Sequence, residues 1–437
     1  MQNKQKSQKE QNSRQIALAT LKKCEGSGQY SNIALDLALS KSRLEASDRA
    51  LAAVLFYGVI ERRITLDFFI SRLSSRPLEQ IDTDTLFILR LGIYQLRYLD
   101  RVPDHAAINE TVALASAKTR GFVNAVLRSY TREKNNIELP GGNDAESISV
   151  RCSVGLPIVK RLCEIYGGER CESILSAFGK ANGTTLRVNT LRVDREELLS
   201  AIHGDRTPLS PYGIRVTGQI TELYGFEEGL FYVQDEASQL SAMALGAKKG
   251  ETVIDVCSCP GSKSFGAAMD MENEGKIYSF DLHGTKLSLV VSSAKRLGIN
   301  IIETEERDAR KPREELLRCA DRVICDVPCS GFGVLGKKPE LRYKDPEASS
   351  ALPEIQYAIL ERSAEYLKEG GALVYSTCTV LPEENEKNIE AFLSSHKDFE
   401  LCPFEVGALC CKKGMITLLP DEHGTDGFFI AKLVKKA

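Results

Sequence analysis

From about residue 241 short apolar or β-branched runs alternate with helix-compatible stretches: "TVIDVCS", "KIYSFDL", "INIIETEE", "DRVICDVP" and "GALVYST". Alternation of this kind predicts a parallel sheet covered by helices on both faces. In such α/β domains chemistry sits outside the carboxyl ends of the strands. Two of these runs end in cysteine-bearing turns, "RVICDVPCSG" with Cys329 and "GALVYSTCTV" with Cys378.

The rest of the 437 residues is too much for one core, so a multidomain chain is expected. Residues 1–13 are polar and read as a disordered tail. Residues 14–134 place apolar residues at i, i+3, i+4 and i+7 in "RQIALATLKKC", "DRALAAVLFYGVIERRITLDFFISRL", "TDTLFILRLGIYQLRYL" and "AAINETVALASAK", which predicts an all-α bundle. Asp48 and Thr83 stand where N-caps belong. Residues 135–147, "NNIELPGGNDAES", read as a linker. Residues 148–240 mix helices with short strands ("TTLRVNT", "GLFYVQD"), a small α+β domain. Residues 1–134 carry 21 Lys and Arg against 14 Asp and Glu, while the whole chain has a net charge of −3. A basic module on an acidic body suggests an anionic partner.

No apolar run is long enough to span a membrane, and no signal-peptide pattern opens the chain. The 13 cysteines include no C-x-x-C pair, which suits neither a disulfide framework nor a zinc site. Reduced thiols in the cytoplasm, without a metal, are the expectation.

The first strand runs into "DVCSCPGSKS", a small-residue turn before a helix, where a ligand can approach the backbone and free N–H groups. Asp281 ends the second strand 20 residues after Gly261, a spacing that suits the ribose hydroxyls of an adenosine cofactor. Asp308, after the third strand, suits either the adenine or a loop cap. No Walker loop or second glycine pattern is present, which favours S-adenosylmethionine. The two cysteines then have a chemical use. C5 of cytosine is a poor nucleophile, and thiolate addition at C6 gives C5 carbanion character. One cysteine would attack and the other would assist elimination, with Asp326 beside N3. Lys337, Lys338 and Arg342, past the Pro-Cys-Ser turn, are candidates to hold flanking RNA phosphates.

At these residues the chain resembles a known family. "DVCSCPGSK", "DVPCSGFGVLGKKPELRY", "IQYAILERSAEYLKEGGALVYSTCTVLPEENEKNIEAFL" and "DGFFIAKL" resemble the RNA 5-methylcytosine methyltransferases that use S-adenosylmethionine on a Rossmann-like domain. "LRLGIYQLRYL", "VPDHAAINETV" and "GFVNAVLRSY" resemble a NusB-type RNA-binding domain. The fusion is similar to the RsmB/Sun subfamily acting on 16S ribosomal RNA. The resemblance implies Cys378 as nucleophile, Cys329 in product release and Asp326 at both base and cofactor. It implies Asp281 on the ribose, Asp308 on the adenine, and a cofactor turn of Cys257, Ser258, Cys259, Pro260, Gly261, Ser262 and Lys263, with Lys286 nearby. A monomer working on ribosomal RNA is expected. Methylation of transfer RNA, or a catalytically weak assembly factor, are the alternatives. The turn departs from the family's C-A-A-P-G-G-K: Ser262 replaces a glycine, which predicts a backbone less free to reach positive φ. Tyr343 stands where Trp is common.

Overall fold

The computed structural model describes residues 11–27, 31–178 and 183–437. The expectation of a disordered tail concerns residues 1–10, which lie outside these, and residues 11–13, of which Ser13 opens a helix. The chain packs as two compact units. One is the chain up to Leu175 together with Lys337–Asp345, and the other is Ser176–Gly336 with Pro346–Ala437.

The first unit is helical among the described residues. Helices Ser13–Ser27, Ala46–Glu61, Arg63–Leu73, Thr83–Tyr98, Asp104–Leu114 and Arg120–Glu133 enclose a core that includes Leu55, Phe56, Leu66, Phe69, Leu89, Leu91, Leu127 and Tyr130. The long run from Asp48 to Leu73 is two helices, broken at Arg62. The cap of Thr83–Tyr98 is Asp82, whose side chain accepts from the Thr85 N–H, one residue before the expected Thr83. Asp48 is no cap. It sits inside its helix's first turn and accepts from Ser13 Oγ at 2.9 Å.

Helices Ala145–Cys152 and Leu156–Tyr166 also belong to this compact unit, which runs to Leu175. The segment 135–144 forms no regular element, but Arg151 donates to the Pro140 carbonyl at 2.6 Å and the Gly142 carbonyl at 2.7 Å.

The second unit opens with a small antiparallel sheet of β1 (Thr184–Val188), β2 (Asp205–Arg206), β3 (Gly213–Val216) and β4 (Phe231–Val233), in the order β2-β3-β1-β4. It shares a compact unit with the larger sheet. That sheet holds β5 (Thr252–Asp255), β6 (Lys276–Asp281), β7 (Ile302–Glu306), β8 (Ala320–Asp326) and β9 (Leu367–Thr377), all parallel. After them come β10 (Phe399–Leu401), a short hairpin of β11 (Phe404–Val406) and β12 (Leu409–Cys411), then β13 (Met415–Leu418) and β14 (Phe428–Lys435). The order is β10-β14-β9-β8-β5-β6-β7, with β13 and β10 both pairing β14 antiparallel. Every residue from Gly371 to Thr377 is buried, as a central strand covered on both faces requires. The strand order reverses at β5, which has β6 on one side and β8 on the other, so a crevice opens at their carboxyl ends.

Candidate active site

The turn after β5 is shaped by one glycine. Gly261 has φ of +105° and stands at the N-cap of helix Ser262–Asp270, and a Cβ there would meet the Phe265 ring at 2.5 Å. Ser262 is the first helical residue and has no positive φ. The expected strain at Ser262 is therefore absent, because the demand for left-handed backbone falls on Gly261. Ser258 and Lys263 are buried, Cys257, Cys259 and Ser262 are half-buried, and Pro260 is exposed.

Two carboxylates frame this turn. Asp281, at the end of β6, accepts from the Cys259 N–H through Oδ2 at 3.2 Å and the His283 N–H through Oδ1 at 2.9 Å. Each oxygen keeps a further lone pair for a hydroxyl. Asp326, at the end of β8, accepts from Lys263 Nζ through Oδ2 at 2.6 Å and from Ser376 Oγ through Oδ1 at 2.6 Å. Asp308 is held in the fork of Arg310 at 3.0 and 2.8 Å, which lowers its pKa. The Arg307 N–H donates to the Asp281 carbonyl, so the Asp308 loop starts beside the end of β6. Lys286 is exposed in the first turn of helix Gly284–Leu297.

Asp255 was not singled out by the sequence, although it ends an apolar strand at the cofactor turn. It is buried and takes Ser264 Oγ at 2.6 Å, and burial raises its pKa to about 7. Its Oδ1 and Ser258 Oγ are buried without a hydrogen-bond partner among the described residues. Two orphaned oxygens, a glycine that lets a ligand approach the backbone, and a carboxylate with spare lone pairs fit an adenosine cofactor with a polar tail.

The strands that carry the two cysteines are neighbours. Asp326 on β8 is in register with Ser376 on β9, and the chain then runs through Cys329 and Cys378. Their Sγ atoms are 3.0 Å apart, and the Cys378 N–H donates to Cys329 Sγ at 3.2 Å. All cysteines are free thiols, and both of these are half-buried. The hydrogen bond to Cys378, and then burial, push the Cys329 pKa well above the ordinary thiol value. At such a separation the pair holds at most one negative charge. Beneath it the Gly333 N–H donates to the Cys378 carbonyl at 2.9 Å, and a Cβ on Gly333 would meet the Gly427 carbonyl oxygen at 1.8 Å. The other thiols of the crevice are poor nucleophiles. Burial, and then Asp281, push Cys259 up to about 12, and burial pushes Cys257 well up.

Of the three cations expected to hold RNA, Lys337 and Lys338 are exposed. Arg342 is buried, and its Nη1 donates to the Cys152 carbonyl at 3.1 Å. It packs within the first unit, and unlike the two lysines its guanidinium is not exposed to a phosphate. No group of three or more metal-ligating side chains occurs among the described residues. No helix there is long and apolar enough to cross a membrane.

Comparison with known proteins decides the family. The model described as "16S rRNA methyltransferase RsmB/F" matches residues 242–434, and that of the NusB family matches residues 11–132. The chain is 38% identical over 441 residues to the "Probable ribosomal RNA small subunit methyltransferase B" of Synechocystis, covering 97% of this chain and 99% of the relative. The chain belongs to the ribosomal RNA small subunit methyltransferase B family. The relative of the same name in Bacillus subtilis is also 38% identical, over 97% of this chain and 98% of its own. A solved structure of a methyltransferase homologue from Pyrococcus horikoshii is 30% identical, with a TM-score of 0.58 over 67% of this chain and 98% of that one. Membership makes the chain a methyltransferase with a NusB-like N-terminal domain.

Proposed function

We propose that this family member methylates C5 of a cytosine in 16S ribosomal RNA, with S-adenosylmethionine as donor, through a covalent bond from Cys378 to C6. The observation that carries the reading is the thiol pair 3.0 Å apart on adjacent strand ends, next to an Asp326 fixed by Lys263 and Ser376. The names of the relatives supply the RNA.

When bound, S-adenosylmethionine supplies an electrophilic methyl group. Asp281 holds the ribose hydroxyls, Asp308 faces the adenine, and residues 257–263 with Lys286 surround the remainder. Asp326 hydrogen-bonds the cytosine near N3 and stabilises charge drawn into the ring. The Cys378 thiolate forms an S–C6 bond, and the displaced ring electrons make C5 nucleophilic. After C5 has gained its methyl group, Cys329 as thiolate takes the C5 proton. The C5–C6 double bond re-forms and Cys378 leaves as thiolate. A thiol pushed up in pKa gives a strong base once ionised. The target base must leave its stack to reach the crevice. Lys337 and Lys338 contact the flanking RNA phosphates. The reading also carries the expectation of a cytoplasmic monomer.

The test separates the two thiols. Cys378→Ala should abolish methylation of unmodified 16S RNA and form no adduct. Cys329→Ala should stop at elimination and leave a protein–RNA species that survives denaturing electrophoresis. An adduct with Cys378→Ala and none with Cys329→Ala would reverse the assignment. Methylation persisting in both would remove the thiol mechanism altogether.

A further inference from the structure

Each reactive cysteine is the middle residue of a triplet whose two flanks are held by buried side chains, and two of the three holders, Glu384 and Asn385, are consecutive in sequence. Around Cys378, Asn385 Oδ1 accepts from Thr377 Oγ1 at 2.6 Å and Asn385 Nδ2 donates to the Thr379 carbonyl at 3.0 Å. Around Cys329, Glu384 Oε2 accepts from the Ser330 N–H at 2.9 Å and from Gln356 Nε2 at 2.7 Å. The same Gln356 nitrogen donates to the Pro328 carbonyl at 2.9 Å. Glu384 is 1% exposed, and Asn385 and Gln356 are 0% exposed.

We propose that Glu384 and Asn385 are positioning residues for the two thiols, one for each: Glu384, acting with Gln356, sets Cys329, and Asn385 sets Cys378. Three observations carry this. Glu384 is a buried carboxylate held by two neutral donors, with no ion pair among the described residues. A buried unpaired charge is costly, and an apolar residue would serve a purely packing role better. The holders are themselves locked. Tyr375 Oη donates to the Glu384 carbonyl at 2.6 Å, and Asn388 Nδ2 donates to Gln356 Oε1 at 3.2 Å. The two triplets are also linked through their flanks, Ser330 Oγ to Thr379 Oγ1 at 2.8 Å, so the clamps fix two thiols against each other. A reaction that attacks C6 with one sulfur and relieves C5 with the other needs both held, and misplacement by 1 Å can cost about 10²-fold.

The inference rests on the division of roles proposed above, and its test runs beside the cysteine variants. The full chain is incubated with 16S RNA transcribed in vitro and S-adenosylmethionine, and adduct and methyl transfer are measured separately. Glu384→Ala should behave as a weak Cys329 variant and accumulate adduct about tenfold above wild type. Glu384→Gln keeps an oxygen for both donors and should recover most of that difference. Asn385→Ala should behave as a weak Cys378 variant, slowing methyl transfer about tenfold without trapping adduct. If Glu384→Ala does not fold, Gln356→Leu opens the same clamp from its other end and should trap adduct instead. If Cys329→Ala traps adduct while Glu384→Ala and Gln356→Leu do not, the positioning assignment is overturned and the thiol mechanism stands. If Glu384→Ala and Asn385→Ala slow methylation alike with no difference in adduct, both residues are merely structural. If Cys329→Ala traps nothing, the division of roles falls first.

Discussion

Lys263 Nζ lies 2.6 Å from Asp326 Oδ2, so one ion pair ties the cofactor turn after β5 to the end of β8. The lysine side chain is 9% exposed and the aspartate 30%. Removing one member strands the other in a poorly solvated place. Lys263→Met should lower stability by about 1–3 kcal/mol, less than for a fully buried pair because Asp326 still meets water. Adding Asp326→Asn should return part of that loss, since replacing both partners removes the stranded charge. Urea unfolding of the single and double variants measures the coupling, and strictly additive losses would dismiss the pair as a structural tie.

Asp281 is predicted to affect binding before it affects folding. Its carboxylate already takes two backbone N–H groups of the surrounding loops. Asp281→Ala should weaken S-adenosylmethionine binding by roughly 1–3 kcal/mol, the cost of unpaired polar groups, with a small change in melting temperature. Titration calorimetry reads this directly, and wild-type affinity in the variant would exclude Asp281 from the site.

Strand existence and order of appearance were legible because short β-branched runs and small-residue turns are local signals. Asp281, Asp326 and the two cysteines sit at strand ends for the same reason. Other features were not local. The helix break at Arg62 carries no Gly or Pro; past it Thr65 Oγ1 bonds the Val150 carbonyl, a tertiary contact. Arg342 reads as a cation on a charged loop, yet it is buried. In "PEENEKN" the acids look like a solvated helix start, and only packing against the Pro-Cys-Ser turn turns Glu384 inward. Asp255 reads as one more strand-end acid. Its burial comes from the sheet on both sides of it.

Tyr343 tests the segment that joins the first unit. Its hydroxyl donates to the Ile60 carbonyl at 2.5 Å and accepts from the Arg63 N–H at 3.2 Å, and the Arg63 guanidinium lies 3.8 Å from the ring centroid. Tyr343→Phe keeps the ring contact, takes the acceptor from the Arg63 N–H and leaves the Ile60 carbonyl only the Arg62 N–H. It should cost about 1–3 kcal/mol and raise amide exchange at Arg63. Unchanged exchange there would mean that water replaces the hydroxyl.

Asp255 makes stability depend on pH. Its pKa rises from 3.8 to about 7, first through burial, while the Ser264 hydrogen bond opposes the rise. Between those values the folded chain keeps a proton that the unfolded chain has lost. Stability from this group is therefore greatest below the unfolded pKa, falls as pH rises through about 7, and is flat beyond it. The limit is about 1.4 kcal/mol per pH unit. Asp255→Asn keeps an acceptor for Ser264 and has no charge to bury. Measured by urea unfolding, its stability relative to wild type should improve by about 2 kcal/mol between pH 5.5 and pH 8. A difference that stays constant across this window would mean that Asp255 is already ionised at the lower pH, and that its buried Oδ1 finds a donor in the folded protein.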